Sequence, residues 1–197
     1  MAAREPSVTP ALLAAYLGCV PSSEQPGTQL VQPFRLASMI RGGDRHWRTA
    51  MKMIGHEPLG MAACAVAELA LAEYSKSPDA GPEVASQAIL AVESLVEWQN
   101  APDSPIGRSS VERKSIGFSV SVNVGEHLYE HSGFRARSLG RIVGKCASVV
   151  LSPENPRRVR WFGEAAEELC RIFNVPEDQL CIAISTAFHP YLQSAHR

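Results

Sequence analysis

From Leu59 to Trp98 apolar side chains return every three or four positions, in two runs separated by a short break. In the first run Met61, Ala65, Leu69 and Ala72 share one helical stripe, and Ala63, Val66, Ala67 and Ala70 fill most of what lies between. A helix that is apolar most of the way round is one buried on several sides. Pro78, Gly81 and Pro82 make the break, and Val84, Ala88, Ala91, Val92, Leu95 and Trp98 carry the second stripe. Two helices joined by so short a connection pack antiparallel. This hairpin, 59–98, is therefore expected at the structural centre.

The helical period continues further on. Residues 138–151 read as a helix that Ser152-Pro153-Glu154-Asn155-Pro156 stops. Residues 157–173 are amphipathic, with Val159, Phe162, Ala166, Leu169 and Phe173 inward and Glu164, Glu167 and Glu168 expected outward. After Asn174, Pro176-Glu177-Asp178 suits a helix start, and His189-Pro190 is expected to end that helix near Phe188. Residues 116–124 read two ways. Ile116, Phe118, Val120, Val122 and Val124 alternate with small or polar residues as a strand does, while Val111, Phe118, Val122, Gly125 and Tyr129 trace a helical stripe. A lone strand cannot pair its backbone, and no convincing partner exists, so helix is favoured.

Upstream, Thr9-Pro10 opens a short helix over 9–19, residues 21–27 form a loop, and 31–40 is ambiguous. Asp44 can cap a helix that runs to Ile54. The expected fold is all-α, a compact bundle of roughly six to eight helices. It forms a single domain over 1–197, with residues 1–43 as a candidate loosely packed N-terminal segment.

Composition narrows the function. Hydrophobic residues at 45% support a sizeable core. Nineteen basic residues face twenty acidic ones, which removes the default argument for nucleic-acid binding by phosphate neutralisation. No apolar run approaches the ~18 residues that suggest a membrane span. The run Ala11–Val20, ending Leu17-Gly18-Cys19, loosely suggests an export cleavage site, but Arg4, Glu5 and Pro10 favour a capped helix. Five cysteines without a Cys-x-x-Cys pair are neither a disulfide framework nor a zinc ladder. Four lie in apolar stretches and read as buried thiols in a reducing, cytoplasmic compartment.

Two clusters could carry chemistry. His127-Leu128-Tyr129-Glu130-His131 spells the inverted zinc-peptidase pattern, in which histidines four apart share a helix face with a glutamate beside them. Glu164, Glu167 or Glu168 would have to supply a third ligand. Gly133 puts the pair at a fraying helix end, so a polar last turn is preferred, with no metal and no cofactor. The second cluster is Arg45, Trp47, Arg48 and Lys52, with its cations on one helix face that could meet an acidic partner or phosphates. Arg135, Arg137 and Arg141, and Arg157, Arg158 and Arg160 beside Trp161, are comparable. Cys64-Ala65 through Leu69 and Leu71, the proline turn, then Ala88-Ile89 and Trp98 resemble the helical hairpin of bacterial immunity and alanine-rich helical proteins. That resemblance carries over no binding residue. The expected function is a non-catalytic module that binds another protein, adaptor- or immunity-like. The alternative is a metal-dependent hydrolase through His127 and His131, and the third reading is a phosphate or nucleic-acid binder.

Overall fold

The computed structural model describes residues 19–21, 29–31, 57–78, 80–101, 105–124 and 133–193. Of the expected helix at 9–19 only Cys19 is among these residues, and the expected helix at 44–54 lies outside them. Cys19 falls in β1 (Cys19–Pro21), which pairs antiparallel with β2 (Gln29–Val31), Cys19 opposite Val31. Cys19, expected as the last residue of the first helix, is thus in a strand, and Val20 lies opposite Leu30, a pairing of residues that suit a strand.

The remaining elements among the described residues are helices. The elements are α1 (Glu57–Ser75), α2 (Pro82–Asn100), α3 (Arg108–Val111), a π turn (Glu112–Ile116), α4 (Gly117–Val124), α5 (Phe134–Leu151), α6 (Arg158–Phe173) and α7 (Glu177–Gln193). The protein is an all-α bundle. Helix α1 packs against α2, α5, α6 and α7, which explains its nearly uniform apolar composition. Leu59, Ala62, Ala63, Val66, Ala67 and Ala70 are fully buried. Alanine at so many of these positions removes side-chain bulk, and neighbouring helices can approach closely. Leu69, by contrast, is only half-buried.

The Gln99 amide near the end of α2 donates to the Glu57 carbonyl at the start of α1, 3.4 Å away. The amide of Gly81, in the turn, donates to the Tyr74 hydroxyl at 3.2 Å. The two helices therefore run in opposite directions. Gly81 is extended and Pro82 occupies the first helical turn, where its missing N–H would have no partner anyway.

Residues 108–124 settle as helix, not strand. Val111, Phe118 and Val122, the stripe positions within the described residues, are all buried. The segment lies on α5 through small residues. A Cβ built on Gly144 would come within 2.7 Å of Ser119 Cβ, so only glycine permits this approach. Helix α6 places Val159, Phe162, Ala166, Leu169 and Phe173 in the core as its period requires. It ends at Asn174 with φ 56°, a left-handed cap that asparagine tolerates.

Two boundaries depart from the sequence expectation. Helix α7 continues through Pro190 to Gln193. Proline interrupts one backbone bond there, but it sits in the final turn, where little helix remains to be lost. Glu168 does not face solvent, for a reason that belongs to the site described next.

Candidate functional site

Helices α5 and α6 bring charged side chains together across their contact. Glu168 is 5% exposed. Arg141 Nε donates to its Oε1 at 2.6 Å, Arg141 Nη2 lies equally close, and Lys145 Nζ stands 3.6 Å from Oε2. A buried carboxylate is tolerated when cations and donors meet its oxygens. This one is met on both. The expected outward Glu168 is corrected accordingly: the long cations of α5 reach across and draw it in. Glu167 is exposed as expected.

One turn before Glu168 on α6, Arg160 Nε donates to Glu164 Oε1 at 2.7 Å, and Lys145 is 3.5 Å from Glu164 Oε2. The hydrogen bond from Arg160, and then the charges of Lys145 and Arg160, hold the Glu164 carboxyl below its usual range despite partial burial. Arg158 is also buried. Its Nε donates to the Val149 carbonyl at 2.9 Å and its Nη1 to the Pro153 carbonyl at 3.2 Å. It thus serves carbonyls that the end of α5 leaves unpaired. Burial lowers its pKa to about 10, with Glu154 opposing that shift. Arg135 donates to the Ser77 hydroxyl at 3.1 Å. The downstream arginine clusters are therefore dispersed, with Arg135, Arg141 and Arg158 committed to internal bonds.

The thiols are equally committed. Burial pushes Cys64 up to about 12 and moves Cys146 upward too, so both stay protonated at neutral pH.

A groove opens where the π turn faces α5. One hollow, of about 770 Å³, is lined by Arg108, Glu112, Arg113, Ile116, Ser148 and Leu151 among others. A second, of about 350 Å³, adjoins it through Ile116 and Ser148 and adds Arg141, Lys145, Trp161 and Glu164. Ile116 and Trp161 give the groove apolar surface above a buried Leu151, and Gly144 and Ser148 keep its floor low. Four cations and two carboxylates line the two hollows, although the whole chain carries one more acid than base. Arg108 is tied to Glu112 at 2.8 Å. Arg113 and its neighbour Lys114 are exposed and make no ion pair among the described residues. The π turn holds both of them; such turns occur often at functional sites.

Of the residues singled out in the sequence, Arg141, Trp161 and Glu164 line the groove. Arg45, Trp47, Arg48 and Lys52, and His127, Glu130 and His131, all fall outside the described residues. Among the described residues no group of three His, Cys, Asp or Glu could hold a metal ion, and no helix is long and apolar enough to cross a membrane. Of the proposed third ligands, Glu164 and Glu168 are bonded to cations of α5 and α6. The groove went unseen because it needs α5 and the π turn side by side, and neither periodicity nor spacing gives that.

No protein-family pattern, no curated protein and no solved structure matches this chain.

Proposed function

We propose that this chain is a helical protein–protein interaction module, adaptor- or immunity-like, working through the groove between the π turn and α5. The observation that carries this reading is the groove's composition. Apolar surface from Ile116 and Trp161 lies beside Arg113, which has no ion pair among the described residues. Aromatic and arginine side chains are the usual anchors of protein interfaces. The buried thiols suit a reducing compartment, which in this reading is the cytoplasm.

The test is affinity capture from cells with the full chain and with an Arg113→Glu, Lys114→Glu variant, followed by reconstitution from purified components. Both changes are at exposed positions, so circular dichroism should be unaltered. The reading expects the reconstituted complex to weaken at least tenfold in the variant. Partners bound equally by both forms would move the working surface away from the groove.

A further inference from the structure

Helix α2 presents a surface opposite in character to the groove. It carries Glu83, Glu93 and Glu97 and no lysine or arginine. Residues 83, 86, 90, 93 and 97 recur at intervals of three and four and are all exposed, so they form one outer face. Leu90 on that face and Ile89 beside it are 54% and 41% exposed. Glu83 and Glu93 make no ion pair among the described residues. The face extends ~21 Å from Glu83 to Glu97 by helical rise.

Each surface holds what the other lacks. The groove has Arg113, with Lys114 next to it in the π turn, beside apolar side chains, and α2 has Glu83 and Glu93 beside exposed aliphatic ones; none of these four charges makes an ion pair among the described residues. They also adjoin in the fold, since α2 packs directly against the π turn. Neighbouring complementary surfaces on one molecule can be satisfied together by a twofold axis, with each surface meeting its counterpart on the other copy.

We infer that the groove is occupied by α2 of a second copy of this chain, each protomer laying its acidic outer face into the partner's groove. This rests on the groove being a docking surface and names its occupant. A helix laid in a groove is an established mode of recognition. Here Leu90 supplies the apolar anchor, and Glu93 and Glu83 face Arg113 and Lys114. Exposed charge pairs weaken as salt screens them, so association falls with ionic strength.

Sedimentation velocity on the full chain, across micromolar to submillimolar concentrations, tests this with two charge reversals. Arg113→Glu makes groove and α2 both acidic at the contact, and Glu93→Arg makes both basic. The wild type should dimerise, and each variant alone should bind itself at least tenfold more weakly. An equimolar mixture of the two should recover the dimer, because both of its contacts then join opposite charges. A wild type monomeric throughout overturns the inference, as do variants that dimerise unchanged, a mixture that stays monomeric, or assemblies larger than a dimer. A monomeric wild type whose reconstituted partner complex still depends on Arg113 and Lys114 sinks the second copy alone. Loss of that dependence sinks the groove itself.

Discussion

The contact between α5 and α6 and the groove beside the π turn are built from the same residue types, yet they use charge in opposite ways. At the helix contact Glu168 is buried with a cation against each oxygen, and Arg158 is buried on backbone carbonyls. On the groove's rim Arg113 is exposed and has no ion pair among the described residues. A charge removed from water must find partners inside the chain. A charge left in water has no such obligation and is free for something outside. Arginine count therefore says little about function. What separates Arg141, Lys145 and Arg158 from Arg113 is whether the cation has a partner among the described residues.

The comparison can be broken first at its apolar support. Phe162 is fully buried on α6. Phe162→Ala should cost about 3–5 kcal/mol, read by denaturant titration. A neutral result would mean that α6 is held by its charges and not by its core face.

Next in size is the buried carboxylate. Glu168→Gln leaves the Arg141 guanidinium without its anion and should lower stability by about 1.5–3 kcal/mol, the range for hydrogen bonds to charged groups. The upper end is not expected, because the Arg141 side chain is 39% exposed and water can partly take the anion's place. An unchanged midpoint would show that the network is incidental.

A smaller effect is set by pH. The folded carboxyl of Glu164 titrates below its usual range, so the folded state binds its proton less readily than the unfolded state does. Its stabilisation is present above the unfolded pKa, about 4.3. It is lost as pH falls through the lower folded value. Glu164→Gln should therefore cost no more than about 1 kcal/mol at neutral pH, as befits a partly exposed pair. The gap between wild type and variant should close below that unfolded value. A gap that widens on acidification would contradict the assignment.

Smallest is the groove itself. Arg113→Glu should change monomer stability by no more than about 0.5 kcal/mol, since an exposed charge without a partner contributes little to folding.

Much of the fold was legible from apolar spacing. Burial follows the predicted stripes at Val111, Phe118 and Val122, and at Val159, Phe162, Ala166, Leu169 and Phe173. The helical reading of 116–124 rested on the want of a partner strand, and packing on α5 supplies its physical reason. Spacing did not reveal Glu168 or Arg158, because it assigns a face to a residue and assumes that polar side chains on it meet water. Long cations on the adjacent helix overturn that assumption at Glu168. Arg158 precedes the inward Val159 and reaches back to α5, where open carbonyls wait. The π turn has no signature in apolar periodicity, and the groove depends on it. The clusters at 45–52 and 127–131, read from local spelling, lie outside the described residues.

The central claim is that the charges at the α5–α6 contact are bound within the chain, while Arg113 in the groove and Glu83 and Glu93 on α2 make no ion pair among the described residues. Double-mutant cycles in denaturant, at concentrations where the chain is monomeric, measure this directly. Arg141→Ala with Glu168→Ala should show a coupling of about 1 kcal/mol or more, as residues in one bonded network do. Arg113→Ala with Glu93→Ala should be additive within about 0.5 kcal/mol. Additivity in the first pair, or strong coupling in the second, would contradict the account.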